Sequence, residues 1–161
     1  MFPNATLPRV RPCRAERGFT VIELMLALTV LAVLAGLSVN GWNGYQQKAR
    51  SKKAQEDIMA LSVVIDAFLA DTGALPADLA AIGRSGLLDP WGTPYQYQEL
   101  ATVHGKGLAR KDHSLVPINS DYDLYSKGPD GASVAPLTAT ASRDDIIRAR
   151  NGQFVGPASM F

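Results

Sequence analysis

Three groups of residues in this chain could do chemistry. The first is a single carboxylate, Glu23, inside a run that is otherwise apolar or small from residue 19 to 39 apart from Thr20, Thr29 and Ser38. A charge at the centre of a membrane helix costs about 2.5–3.5 kcal/mol, less toward its edge, and is usually kept for a purpose. The dipole of a helix N-terminus offsets part of that cost. Two readings follow: Glu23 reaches the headgroups, or it meets a partner of opposite charge in apolar surroundings, where such pairs set register more than they add stability. The second group is acidic. Residues 128–131, Gly-Pro-Asp-Gly, form a tight turn that offers the Asp130 carboxylate and exposed carbonyls, while Asp144 and Asp145 are adjacent like charges. Such a pair repels unless a cation or base neutralises it. Calcium would ask for about 6–8 oxygens. The EF-hand pattern fails, because Tyr125 and Ser126 stand where an acid or amide and then a glycine are required. The other reading is a solvated loop with Asp144 and Asp145 capping a short helix over residues 144–150. The third group is His104 and His113, the only histidines. They belong to no metalloprotease or nucleophile motif, and His104-Gly105-Lys106-Gly107 lacks the spacing of a phosphate loop. This argues against an enzyme.

The elements that must position these residues begin with the apolar run. Its 21 residues would make a helix roughly 31 Å long, matching a hydrocarbon core of about 30 Å. A secretory signal has a shorter core, on the order of 7–15 residues, followed by a cleavage site. In front stand Arg9, Arg11, Arg14 and Arg17 against Glu16 alone, so residues 1–18 carry +3 of a total of +1. That asymmetry favours a cytoplasmic N-terminus, although Lys48, Arg50, Lys52 and Lys53 follow on the far side. The only cysteine, Cys13, lies in this leader, which rules out a disulfide within one chain. After the run, Ala54, Ile58, Leu61, Ile65 and Phe68 recur at intervals of three and four, the stripe of an amphipathic helix. Gly73 and Pro76 mark its end. Asn40-Gly41-Trp42-Asn43-Gly44-Tyr45, between run and stripe, is a weak point where the helix is expected to bend or melt. The basic cluster 48–53 has only Tyr45 as an aromatic neighbour and Glu56 and Asp57 directly behind it, so it reads as a solvated, ion-paired face and not as a nucleic-acid site. Beyond residue 72 the chain is rich in turn formers. Residues 95–98 and 121–124 alternate apolar and polar and are half-buried strand candidates, with Asp121 and Asp123 on the solvent face.

Gly18-Phe19-Thr20-Val21-Ile22-Glu23 ahead of a long apolar run resembles the class III signal of type IV pilins and of the pseudopilins of type II secretion systems. Asp89-Pro90-Trp91-Gly92 with Pro94-Tyr95, the stretch 123–131, and Arg143-Asp144-Asp145-Ile146 resemble elements of the major pseudopilin; residues 99–118 have no counterpart. The resemblance implies cleavage by a prepilin peptidase between Gly18 and Phe19 and N-methylation of Phe19. It implies that Glu23 pairs with the Phe19 amine of a neighbouring subunit as helices stack into a filament. It also implies a structural calcium held by Asp130, Asp144 and Asp145.

The expected architecture is therefore α+β: a long N-terminal transmembrane and amphipathic helix packed on a small C-terminal antiparallel sheet. The parts are a cleaved leader (1–18), a transmembrane helix (19–41) and a periplasmic domain (42–161) with helix 45–71, loop 72–94, and sheet and calcium-type loop 95–161. The expected partners are copies of itself, minor pseudopilins, the prepilin peptidase and the inner-membrane secretion platform, with no nucleic acid. The expected place is the bacterial inner membrane, single-pass, with the C-terminal domain in the periplasm. A pilin of a surface or competence filament, and a membrane-anchored binding module, are the competing readings.

Overall fold

The structure is a computed structural model that describes residues 18–102, 109–113 and 116–161. The leader arginines, Cys13 and the 104–107 stretch with His104 lie outside the described residues. Among the described residues, one α-helix, α1 (Val21–Thr72), is followed by six short strands: β1 (Gln96–Glu99), β2 (Lys111–Asp112), β3 (Val116–Pro117), β4 (Tyr122–Ser126), β5 (Ile146–Ala149) and β6 (Phe154–Pro157). The chain divides into two compact units, up to Trp42 and from Asn43 onward.

The first unit is helix. Its side chains, among them Ile22, Leu26, Val30 and Leu34, stand exposed, and the helix is long and apolar enough to cross a membrane by length and composition. Helical backbone continues through the Asn- and Gly-rich stretch around Trp42, where a bend or melting was expected.

In the second unit the predicted stripe does the packing. Ala54, Ile58, Leu61 and Ile65 are buried against Tyr95, Tyr122, Leu124 and Ile146. Each fully buried Leu or Ile contributes about 1.5–3 kcal/mol. The stripe ends where Thr72 gives way to Gly73, whose φ of 76° is the left-handed value that favours glycine, and whose N–H donates to the Leu69 carbonyl at 2.8 Å. The sheet has the order β1-β4-β5-β6, antiparallel throughout, and β2 pairs with β3 in a separate ribbon. The registers pair Gln98 with Asp123, Tyr125 with Ile147, and Arg148 with Val155.

Strand alternation sends Tyr122, Leu124 and Ile146 to the helix side, while Ile147 and Ala149 join a second cluster with Ile118, Leu137 and Ala158. Both faces of the sheet are thus covered. That corrects the expectation for Asp123. Its residue is 1% exposed, because Arg110 and Asn119 lie over the face that alternation assigns to solvent and bond to its carboxylate. Asp121 is partly exposed and bonded to Arg148. Residues 146–149, read as part of a short helix in one alternative, are strand.

Candidate functional site

The N-terminal site is built by three residues. The side chain of Glu23 turns back toward the helix start, where its Oε2 accepts the backbone N–H of Thr20 at 2.9 Å and the Thr20 hydroxyl at 2.8 Å. The Glu23 N–H donates to Thr20 Oγ1 at 3.3 Å, and Leu24 N–H closes the first helical turn on the Thr20 carbonyl. This is a capping box, in which the residue before the helix and the third helical residue satisfy each other's orphan donors. Thr20 thus joins Glu23 as a functional residue of this end, and its signal, Thr-x-x-Glu before an apolar run, stands in the sequence. Phe19 is exposed. At Gly18 an added Cβ would meet nothing within 4 Å among the described residues, and no positive φ requires glycine there. Nothing among the described residues asks for glycine at 18.

At the second site the expected calcium ligands are not gathered. Among the described residues no group of three or more His, Cys, Asp or Glu is placed to hold a metal ion. Asp130 is exposed and its Oδ1 accepts the Ala132 N–H at 2.8 Å, a local turn bond. Asp144 is partly exposed, and its carbonyl backs onto Gly128, whose φ is 65°; a Cβ at Gly128 would come within 2.5 Å of that carbonyl oxygen. Only Asp145 is fully buried, and its Oδ2 already has partners: the Arg110 guanidinium, through Nη2, and the Ser133 hydroxyl at 2.6 Å. Asp145 Oδ1 has no hydrogen-bond partner among the described residues, one oxygen where calcium would want at least six. The residues present do not fit a calcium cage formed by Asp130, Asp144 and Asp145. Burial pushes the Asp145 carboxyl up to about 6, against the pull of Ser133 and Arg110, so at neutral pH it remains ionised beside a permanently charged arginine.

The other motif residues are structural. Asp89, buried, accepts the N–H groups of Trp91 and Thr93 at 3.0 and 2.8 Å and the Ser126 hydroxyl, tying the Asp-Pro-Trp-Gly turn to β4. Trp91 Nε1 donates to Gln47 on α1 at 3.1 Å. In the basic cluster, Lys53 pairs with Asp57 one turn on. His113 is exposed beside Asp112.

Comparison with known proteins bears on the N-terminal site and on the chain as a whole. The model of the prokaryotic N-terminal methylation motif matches residues 13–39. Type II secretion system core protein G of Dickeya chrysanthemi is 30% identical, over 73% of this chain and 80% of that protein. The protein of the same name from Escherichia coli K12 is 31% identical, over 76% and 88% respectively, and that of Klebsiella pneumoniae 30%, over 81% and 92%. No solved structure gives a significant match.

Proposed function

The chain belongs to the type II secretion system core protein G family, and from that premise we propose that it is the filament-forming subunit of a periplasmic pseudopilus that helps drive protein export. The observation that carries the reading is Glu23: an ionisable group in an apolar, exposed helix, bonded among the described residues to Thr20, three positions away. Cleavage between Gly18 and Phe19 by a prepilin peptidase would create a new amine one residue before Thr20. The open surroundings of Gly18 support this, since a requirement for glycine there would come from the peptidase and not from the fold. Methylation of Phe19 leaves that amine cationic. Glu23 then offers the only carboxylate between residues 19 and 39 as its partner on an adjacent subunit. The apolar helix holds the subunit in the inner membrane until it assembles, with the sheet domain in the periplasm. The protein acts by assembly, not by catalysis, and the names of the relatives favour secretion over a surface pilus.

The test has two parts. Mass spectrometry of protein from the native membrane should show a chain beginning at N-methylated Phe19, and Gly18→Val should block that processing. Glu23→Val should still insert, because it removes a desolvation cost, but should yield few or no filaments because the neighbouring amine loses its counter-charge. Normal filament yield from Glu23→Val would refute the assembly role.

A further inference from the structure

We propose that Arg110 is the built-in cation of the loop from residue 128 to 145, so that the folding of this chain does not depend on a divalent ion. The guanidinium sits where that loop closes. Its Nη2 meets the Asp145 carboxylate, and its Nη1 donates to the Ser133 hydroxyl and to the Val134 carbonyl at 2.6 Å. A carboxylate, a hydroxyl and a main-chain carbonyl are the kinds of oxygen that a calcium ion gathers. Here a planar fork of five N–H donors gathers them instead. The charge balance agrees. Asp145 is buried and needs one compensating charge, whereas Asp130 and Asp144 reach solvent and need none from within.

Arg110 is placed for this by its own backbone. Its N–H donates to Asp123 Oδ2 at 2.6 Å, and Asn119 Nδ2 donates to the other oxygen of that carboxylate at 2.9 Å. Its carbonyl accepts the Ile118 N–H, the next residue's N–H donates to the Ala135 carbonyl, and Leu137 N–H returns to the Lys111 carbonyl. Its guanidinium also lies 4.3 Å from the centre of the Tyr125 ring. The residue is 3% exposed. Within the loop, Ser142 Oγ accepts the Val134 N–H and donates to the Val134 carbonyl, so the turn is tied without any ion. Arg110 comes from the stretch 99–118 that has no counterpart in the resemblance to the major pseudopilin. Through Arg110, that stretch supplies the positive charge of the loop.

The full-length chain in detergent micelles is the material for the test, with near-UV circular dichroism following unfolding of the sheet domain in millimolar calcium and in excess chelator. The wild-type melting temperature should be the same in both, and a calorimetric titration with calcium chloride should show no stoichiometric binding. Arg110→Met should melt roughly 10 °C or more below wild type, because it strands a buried carboxylate. Arg110→Met combined with Asp145→Leu should regain most of that loss, and Arg110→Lys should fall in between because an ammonium cannot span all three acceptors. A chelator-induced drop in the wild-type melting temperature, or one calcium bound per chain, would overturn the proposal. So would an Arg110→Met variant as stable as wild type. Should Arg110→Met fail to fold, the wild-type comparison and the titration decide alone. None of these readouts involves cleavage at Gly18 or assembly through Glu23, so the family-based function stands or falls separately.

Discussion

The two units treat charge in opposite ways. In the first, the one carboxylate of the apolar helix is satisfied by a neighbour three residues away and stays exposed. In the second, carboxylates are paired with buried arginines across long stretches of chain: the buried Asp145 with Arg110, 35 residues apart, and the partly exposed Asp121 with Arg148, 27 apart. Local pairing leaves a group that can change partners without disturbing a fold. Long-range pairing makes the charge part of the fold, because one partner cannot leave without stranding the other in low dielectric. On the proposed function, the difference would separate a residue kept for assembly from residues kept for shape.

That contrast can be broken most severely at Asp145. Replacing it with Ala leaves the Arg110 guanidinium buried without its counter-charge, and should cost about 3–5 kcal/mol of stability in a denaturant titration of the sheet domain. A loss under 1 kcal/mol would mean that the pair is dispensable. A smaller effect is expected at Asp121. Burial acts to raise its carboxyl, but the bonds from Arg148 and the Tyr122 N–H outweigh this and hold it below the ordinary 3.8. The unfolded chain therefore takes up this proton first on acidification. The contribution is fully present above pH 3.8 and is lost as pH falls through the lower, folded value. Asp121→Asn should lower stability at neutral pH by about 1–2 kcal/mol and flatten that part of the acid-unfolding curve, as followed by circular dichroism. The smallest effect belongs to the first unit. Thr20→Val removes the hydroxyl but keeps the backbone N–H bond to Glu23, so NMR in micelles should show fraying confined to the first turn of α1. The melting temperature of the sheet domain should not move. A shift there would mean that the two units are not separable in the way their charges suggest.

Much of the fold could be read locally. The three-and-four spacing from Ala54 onward located the buried face of α1, and Gly73 with Pro76 located its end, because both signals depend only on residues within a few turns. The period-two stretches around Tyr97 and Tyr122 became β1 and β4 for the same reason. The miss at Asp123 has a physical cause: alternation describes a strand without what covers it. Arg110 covers Asp123 and pairs with Asp145, and no local pattern announces an arginine whose partners lie 13 and 35 residues downstream. The Thr20 cap is different in kind. Its Thr-x-x-Glu spacing is local, so this cap is legible in the sequence by itself.

The strand order carries a consequence for timing. β5 lies between β4 and β6, so its second edge stays unpaired until β6 has been made through Pro157. Synthesis runs from the apolar helix toward this sheet, and pairings between residues distant in sequence are slow to form. The sheet therefore closes after the helix is complete. A chain interrupted before β6 would own a complete apolar helix and an open sheet edge, the combination most prone to pairing with the wrong neighbour.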